Sequence, residues 1–343
     1  MRGSLSIRGI PRLAPCLATR IACQNPRQRT FELRGPNRVI STVAHSESED
    51  IGTFRHQAFV PEVPLVLKGS HTIVSVKQWF IHHDEPSLAC LSPYLSQHGS
   101  AHFPYELIRN QGSAEKDPAC QFENWLRTQD ENLALYLPDV NTLEPAAPPG
   151  EHDVFHRFFA PLDLLSKAVE YNRSQDAENR VKRLYIAQSQ LNELPQALRE
   201  DLPIPNIVRQ AGKGDVYDSS IWLGLEPTYT PLHRDPNPNL FVQILSSKTI
   251  RLLTPTLGQQ LYAEIQHQLG SRGNSRFRGQ EMMQGPERTA LYDAIWHSKP
   301  SADIHEATLD PGDALFIPKG WWHSVKSRFD DGRLNASVNW WFR

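Results

Sequence analysis

The stretch Gly312-Asp313-Ala314-Leu315-Phe316-Ile317-Pro318-Lys319-Gly320-Trp321-Trp322-His323 decides the fold. A short apolar run between turn residues is typical of a buried strand, and here Gly312 precedes the run while Pro318-Lys319-Gly320 follows it. Glycine and proline supply the backbone angles that tight turns require. The spacing therefore predicts a buried strand and a tight turn that deliver His323 to the mouth of a barrel.

An upstream stretch, Thr230-Pro231-Leu232-His233-Arg234-Asp235, supplies two further ligand types. Residues two apart on an extended strand leave the same face, so His233 and Asp235 are expected to point together. With His323 from a distant strand they make two imidazoles and one carboxylate. This set suits Fe(II) and leaves neighbouring coordination sites open. The two stretches together predict an iron centre with His233, Asp235 and His323 as ligands.

The same tripeptide pattern occurs elsewhere in the chain, which shows that it is weak evidence alone. His82-His83-Asp84 repeats it, and His152-Asp153 with His156 has the composition of a ligand cluster. Both groups lie in segments whose composition is typical of helix ends or loops, without a strand pattern. We predict that both groups are solvated surface and bind no metal.

Two β-rich runs follow Asp235. Leu240 to Leu245 and Lys248 to Leu253 are separated only by Ser246-Ser247, a pattern that predicts a β-hairpin.

In the second run the alternation of residue types predicts which face points inward. Lys248, Ile250 and Leu252 share one face, while Thr249 and Arg251 share the other and favour water. Lys248 would then carry an ammonium group inside the barrel, where an unpaired charge is costly. Either the strand faces the other way, or a carboxylate meets Lys248.

These motifs give the chain a recognisable family. It resembles the Jumonji-C (JmjC) family of Fe(II)- and 2-oxoglutarate-dependent oxygenases, in particular its small hydroxylase-type, cupin-like members. The resemblance extends over roughly residues 50 to 343. One departure is Ser327, which stands where the second cupin motif has an Asn four residues after the His. The matching segments are Thr230 to Pro255, Asp310 to Phe342, Arg183 to Gln190, and Pro64 to Gly69 with Trp79 after it.

The resemblance implies a fold, a chemistry and a set of site residues. The fold is mainly β with flanking helices, a double-stranded β-helix of the cupin or jelly-roll class. The chemistry is hydroxylation of a C–H bond with Fe(II), 2-oxoglutarate and O2, with a protein side chain as the first choice of substrate. The iron ligands implied are His233, Asp235 and His323. Lys248, with Thr230 and Tyr185, is implied at the distal carboxylate of 2-oxoglutarate, and Asn239 and Asn339 near the cosubstrate.

Other outcomes of the same iron site stay open. They are N-methyl-lysine demethylation, as on histones, and hydroxylation of a tRNA base or a small metabolite. A different class of function is a non-catalytic cupin-like module that binds a metal or a partner. That alternative leaves Lys248 and Thr230 without a role.

Length and composition are those of a globular protein with a sizeable core. The chain has 343 residues, of which 39% are hydrophobic and 22% charged. No apolar run approaches the roughly eighteen residues of a membrane helix, so we expect no membrane contact. Cys16, Cys23, Cys90 and Cys120 have no metal-ligand spacing, and Cys90 and Cys120 are expected to be reduced thiols in an intracellular protein.

The first residues differ from the rest of the chain in charge. Residues 1 to 31 contain six arginines and no acidic residue, the composition of a mitochondrial presequence or of a basic disordered tail. Cytoplasm or nucleus is the alternative location. Without those arginines 30 basic residues face 38 acidic ones, so the remainder carries about −8. This sign disfavours a broad nucleic-acid surface.

Composition divides the chain into three parts. Residues 1–45 are a basic disordered or targeting segment, residues 46–180 a mixed helical part that packs on the barrel, and residues 181–343 the JmjC catalytic core. The 255–310 connection is predicted to be either a lid or a tolerated insertion. A monomer is expected. Helical patterns cover Pro118 to Thr128, Pro161 to Tyr171, Pro195 to Leu202 and Leu257 to Leu269.

Overall fold

A computed structural model of the protein describes residues 40–69, 74–83, 88–110, 117–138, 153–270, 284–297 and 303–343. The Arg-rich stretch 1–31 lies outside these residues, as do Cys16, Cys23, Asp84 and His152. Within the described ranges the strands are β1 Ile40–Thr42, β2 His45–Ser46, β3 Leu65–Leu67, β4 Phe80–Ile81, β5 Cys90–Leu91, β6 His102–Asn110, β7 Asp153–Pro161, β8 Leu184–Gln190, β9 Val216–Leu225, β10 Tyr229–Arg234, β11 Asn239–Leu245, β12 Lys248–Leu253, β13 Ile304–Leu309, β14 Ala314–Ile317, β15 Trp322–Ser327 and β16 Leu334–Phe342.

The helices of the described residues flank these strands. A π-helical turn at Arg55–Phe59 continues the first helix, and a 3-10 turn covers Leu191–Glu193. The α-helices are α1 Ile51–Phe54, α2 Val74–Gln78, α3 Pro93–Ser96, α4 Pro118–Gln129, α5 Glu131–Ala134, α6 Asp163–Arg173, α7 Gln196–Glu200, α8 Asn206–Gln210, α9 Pro255–Gln268 and α10 Gly285–Trp296.

Eight consecutive strands, β9 to β16, form the barrel and are divided between two sheets, and the consecutive strands β12 and β13 lie side by side in the smaller sheet. In the larger sheet their order is β14-β11-β16-β9, and in the smaller sheet it is β13-β12-β15-β10. Neighbours within each four-stranded set are antiparallel. This is the connectivity of a double-stranded β-helix, so the predicted jelly-roll fold is confirmed.

Strands from the first half of the chain enlarge both sheets. β8, β6 and β7 extend the larger sheet beyond β9, while β3 and β2 extend it beyond β14. β1 lies beside β13 in the smaller sheet.

Apolar side chains fill two layers. One lies inside the barrel between the sheets and includes Phe241, Ile250, Leu252 and Leu315. The other lies on the opposite face of the larger sheet under the N-terminal helices, where it runs without a break from Phe54 to Phe342.

The predicted hairpin at Ser246-Ser247 is wrong. β11 pairs with β14 and β16, whereas β12 pairs with β13 and β15, so the chain changes sheet between them. Ser246 has a left-handed backbone with φ 57° and donates a hydrogen bond to buried Glu226, which also accepts from Asn335. These bonds fix a corner between two sheets where a hairpin turn was expected.

The face prediction for β12 is confirmed. Lys248, Ile250 and Leu252 are buried, while Thr249 and Arg251 are half-exposed. β12 therefore has the predicted alternation of buried and half-exposed residues, although the prediction that it pairs with β11 is wrong.

The predicted helices are present as α4, α6, α7 and α9. Pro118 and Pro255 occupy the first turns of α4 and α9, a position that proline's fixed φ and missing N–H suit. Three elements were missed. α10 follows the part of the 255–310 connection that lies outside the described residues, and β6 and β7 form a long antiparallel pair. His156, expected in a loop or helix end, lies in β7 opposite Leu107.

Within the described ranges, no helix combines the length and apolarity needed to cross a bilayer. Cys90 and Cys120 are half-buried and form no disulfide among the described residues.

Candidate metal centre and adjoining pocket

Two barrel strands bring the predicted iron ligands together. β10 and β15 pair antiparallel with His233 directly opposite His323, and the two imidazole ring centroids are 4.2 Å apart. Asp235 follows the end of β10. The turn before β15 holds Asp235 from the other side, because the Gly320 N–H donates to the Asp235 carbonyl at 3.2 Å. Gly320 has φ 77°, a left-handed backbone conformation that favours glycine in this turn.

The three side chains converge on one point. Their candidate ligand atoms all lie within 4.8 Å of one another, and Nε2 of His323 is 3.6 Å from Oδ2 of Asp235. Among the residues that the structure describes, this is the one group of three or more His, Cys, Asp or Glu side chains close enough to share a metal ion. His82 and His83 are exposed, as predicted, and Asp84 of the same group lies outside the described residues. We call the barrel end that contains this group the mouth.

Backbone carbonyls orient both imidazoles. Nδ1 of His233 lies 2.8 Å from the Pro231 carbonyl, and Nδ1 of His323 lies 3.3 Å from the Trp321 carbonyl. A carbonyl only accepts, so Nδ1 carries the proton in each ring and the Nε2 lone pair is free. Burial, together with the neighbouring His233, lowers the pKa of His323 and favours its neutral form. Neutral imidazoles with free Nε2 lone pairs are what a metal ion requires.

The carboxylate of Asp235 is held by two side chains from the larger sheet. Its Oδ2 accepts hydrogen bonds from Asn239 Nδ2 at 3.0 Å and from Trp341 Nε1 at 2.8 Å. Asn339 Nδ2 in turn donates to Asn239 Oδ1 at 2.9 Å. Sequence reasoning placed Asn239 and Asn339 near the cosubstrate, and the structure places them in a chain of amides that ends on Asp235. Trp341 was missed, because nothing in Trp340-Trp341-Phe342 shows which ring faces inward until the strand is paired.

Lys248 extends into the barrel from the smaller sheet and is 3% exposed. Its Nζ donates to the Tyr185 hydroxyl at 2.9 Å and to Ser337 Oγ at 2.8 Å. Within the described part of the chain no carboxylate lies within ion-pair distance of this ammonium group. Burial lowers the pKa of Lys248 to about 7, while the more distant charge of Glu226 acts in the opposite direction. Lys248 is therefore a buried cation that has only neutral oxygen partners.

The resemblance implies Tyr185 and Thr230 at the distal carboxylate of 2-oxoglutarate. Tyr185 lies beside Lys248, whereas the Thr230 hydroxyl has no hydrogen bond to Lys248 among the described residues. The Thr230 carbonyl accepts from Ser324 Oγ at 2.8 Å, and the β10–β15 register shifts between Thr230 and His233. Ser337 is the second hydroxyl at Lys248, and sequence reasoning missed it. Ser337 lies on the same face of β16 as Asn335 and Asn339. Only strand pairing reveals that this face meets Lys248.

Unpartnered polar atoms line the space between Lys248 and the ligand triad. Ser220 Oγ, Trp222 Nε1 and Asn339 Oδ1 are buried and have no hydrogen-bond partner in the part of the chain that the structure describes. Ser220 is opposite Asn339 and Trp222 is opposite Ser337 on paired strands, so these side chains share the inner face. Buried polar groups are normally satisfied, which makes an unpaired set unusual. A pocket with a buried cation and free polar atoms beside a His-Asp-His group fits Fe(II) together with a small, polar, anionic molecule.

Comparison with known proteins gives one family match and several relatives. Residues 53–343 match the family described as a cupin-like domain. The chain is 32% identical over 160 residues to Lysine-specific demethylase 8 of Danio rerio, covering 46% of this chain and 36% of that protein. It is 32% identical over 183 residues to Jumonji C domain-containing protein 5 of Drosophila melanogaster, covering 52% and 41%. With Lysine-specific demethylase JMJ30 of Arabidopsis thaliana it shares 28% over 181 residues, covering 53% and 38%. The matches therefore span less than half the length of each of these three relatives.

Proposed function

Because the chain belongs to the cupin-like, JmjC-type family, we propose that it is an Fe(II)- and 2-oxoglutarate-dependent oxygenase that hydroxylates a C–H bond of a protein side chain. The proposal depends on both halves of the pocket, the ligand triad and the cation.

The single observation that carries the proposal is a desolvated cation in the same barrel as the triad. Lys248 has two hydroxyl partners and no carboxylate in the described structure, although isolated buried charges are strongly unfavourable. A module that bound only a metal, or only a partner at its surface, would gain nothing from this ammonium group. A dicarboxylate cosubstrate supplies the anion that Lys248 lacks.

The chain's own residues have distinct tasks in this proposal. His233 and His323 offer Nε2 lone pairs, and Asp235 offers a carboxylate oxygen while Asn239 and Trp341 hold it in place. When bound, Fe(II) and 2-oxoglutarate would supply the oxidising chemistry with O2 as the oxidant: one oxygen atom would enter the succinate that forms as 2-oxoglutarate loses CO2, and the other would be inserted into the substrate C–H bond.

Lys248, Tyr185 and Ser337 form the far end of the pocket. An ammonium group and two hydroxyls that converge within 3 Å can donate to one carboxylate, and charge-assisted hydrogen bonds of this kind are strong. Phe241, whose ring lies 5.4 Å from the Lys248 ammonium, helps to exclude water there. These groups position the cosubstrate and keep its distal end dry.

A protein substrate is favoured by the names of the relatives, two of which are lysine-specific demethylases. Demethylation of N-methyl-lysine is the alternative outcome at the same site, since it also begins with oxidation of a C–H bond. The two outcomes differ in mass, because hydroxylation adds one oxygen atom whereas demethylation removes one methyl group. Mass spectrometry of candidate protein substrates separates them.

The first test measures succinate formation by the purified protein with Fe(II), 2-oxoglutarate and O2. We expect succinate from the wild type and none above background from His233→Ala or Asp235→Ala, since two remaining ligands hold Fe(II) poorly against water. Calorimetric iron titration should show the same loss of binding.

The matched control is His82→Ala, which changes an exposed histidine outside the triad and should leave both measurements unchanged. Wild-type iron affinity in His233→Ala would refute the ligand assignment. An iron-loaded wild type that forms no succinate would refute the oxygenase.

A further inference from the structure

One wall of the mouth is polar and half-exposed. It consists of Gln190 on β8, Asp218 on β9 and Trp341 on β16, three neighbouring strands of the larger sheet. Trp341 is directly opposite Asp218, and Gln190 is directly opposite Ser220. We call these three residues the polar wall.

Strand pairing shows that the polar wall faces the metal centre. The indole of Trp341 donates to Asp235 across the barrel, so its side chain points inward. Residues directly opposite each other on antiparallel strands project to the same face, and Asp218 therefore also faces the mouth. Gln190 Nε2 lies 3.4 Å from Asp218 Oδ2, which places the amide on the same face.

The carboxylate of Asp218 has no cationic partner in the described residues. Its Oδ1 accepts from the N–H of Ser219 at 2.7 Å, and its Oδ2 has only the long contact to Gln190. Asp218 thus presents, at the mouth and next to an indole ring, a carboxylate that forms no ion pair among the described residues.

We propose that Asp218 is a specificity-determining residue that binds a Lys or Arg side chain of the protein substrate, with the ring of Trp341 as a second contact. This inference rests on the proposed oxygenase function. A carboxylate and an aromatic face are the two groups that bind such cations at half-exposed sites. The Trp341 indole lies between Asp218 and Asp235, so the bound cation is beside the metal centre. The oxidised carbon therefore belongs to another part of that side chain or to a neighbouring residue.

The test uses pools of synthetic seven-residue peptides whose central residue is Lys, Arg, norleucine or Glu. Immobilised protein loaded with Fe(II) and 2-oxoglutarate is kept free of oxygen, so bound peptides are not consumed, and retained peptides are counted by mass spectrometry. We expect the Lys and Arg pools to be retained about tenfold more than the norleucine pool, the size of one half-exposed ion pair plus one cation–π contact.

Variants at Asp218 isolate the charge. Asp218→Asn should reduce the preference to less than about threefold, Asp218→Glu should keep it, and Asp218→Lys should shift retention toward the Glu pool. Asp215→Asn is the matched control, because Asp215 is an exposed acid just before β9 and should behave as wild type. A wild type without preference, or an Asp218→Asn protein that keeps it, would overturn the proposal.

A failure of the Asp218 proposal can be distinguished from a failure of the oxygenase proposal. Succinate formation by the wild type needs no peptide charge, so succinate without a cation preference leaves the oxygenase standing and removes the role of Asp218. No succinate at all removes the oxygenase itself.

Discussion

At the scale of single residues, the described partners of the Lys248 ammonium are two hydroxyls and two aromatic rings. Burial lowers the pKa of this group to about 7, so near neutral pH its charge is easily lost. A carboxylate that pairs with it must raise that pKa again. Binding of 2-oxoglutarate is therefore expected to take up a proton above pH 7, and the affinity should fall by up to about tenfold per pH unit there.

Substitution of Lys248 should remove this pH dependence. Lys248→Ala should weaken 2-oxoglutarate binding by orders of magnitude and abolish the proton uptake, while iron binding is retained. Lys248→Arg should rescue poorly, since a planar guanidinium is larger than the ammonium between Tyr185 and Ser337. Calorimetry in buffers of different ionisation enthalpy measures affinity and proton uptake together. Wild-type affinity in Lys248→Ala would refute the role of this cation.

The same group links folding stability to pH in the ligand-free protein. The folded-state pKa is depressed to about 7 and the unfolded one is near 10.4, so between them the unfolded chain binds more protons. Stability contributed by Lys248 then rises with pH from about 7 to 10, by at most about 1.4 kcal/mol per unit, and below pH 7 the burial penalty is fully present. Urea unfolding of Lys248→Met should lack this slope.

At the residue scale, prediction from sequence succeeded for residue types that rarely occupy such positions without a chemical role. An inward ammonium and a His-x-Asp near a strand have strong chemical preferences, so Lys248 and the triad were found. Ser337, Trp341 and Asp218 are ordinary strand residues until their neighbours are known. Their roles depend on which strand lies beside which, and that is long-range information.

At the scale of elements, the β11–β12 connection shows why local patterns mislead. Two β-rich runs and a two-residue turn predict a hairpin, yet the chain crosses between sheets there. Buried Glu226 accepts from Ser246 and Asn335 at this corner, and burial raises the pKa of its carboxyl group. The residue that fixes the corner lies twenty positions upstream of the turn, beyond the range of a local turn pattern. Strand existence and faces could be predicted, whereas pairing could not.

A second element, α9, packs on the outer face of β15 and supports the strand that carries His323. A Cβ placed at Gly258 would overlap ring atoms of Trp322, so this helix depends on a glycine to approach the sheet. Gly258→Ala should therefore lower the free energy of unfolding by about 1–3 kcal/mol. In an exposed helix position the same change would stabilise by about 1 kcal/mol.

Chemical denaturation measures the Gly258 effect, and Gln259→Ala, at an exposed position of the same helix, is the control. We expect Gln259→Ala to be neutral or slightly stabilising, since alanine has the highest helix propensity. A Gly258→Ala protein as stable as the wild type would mean that α9 can move away from Trp322 without loss.

At the scale of the whole molecule, one shared core explains why the sequence shows no domain boundary within the first half of the chain. Its helices and strands pack on the larger sheet in one apolar layer that runs from Phe54 to Phe342. Helices α4 and α6 were predictable because their apolar periodicity is local. β6 and β7 were not, since 42 residues separate their ends and the pair is visible only when register is known.

Charge is also distributed unevenly along the chain. The six arginines of residues 1 to 31 face no acidic residue in that stretch, whereas the remainder of the chain carries about −8. A potential that is negative inside mitochondria favours each positive charge by about 2.3 kcal/mol per 100 mV. We propose that residues 1–45 direct the protein to mitochondria, although Pro11 and Pro15 interrupt the amphipathic helix that such signals use.

A fusion protein tests residues 1–45 apart from the rest of the chain. A fluorescent protein fused behind residues 1–45 should accumulate in mitochondria of intact cells, and the mature form should begin downstream of Arg29, which N-terminal sequencing detects. Replacing the six arginines by glutamine keeps length and most of the polarity but removes the charge on which the potential acts, so that fusion should be diffuse. If both fusions distribute alike through cytoplasm and nucleus, the arginines are a basic tail and the enzyme works elsewhere. If the glutamine fusion still enters mitochondria, charge is not the signal and the proposal is wrong in its mechanism.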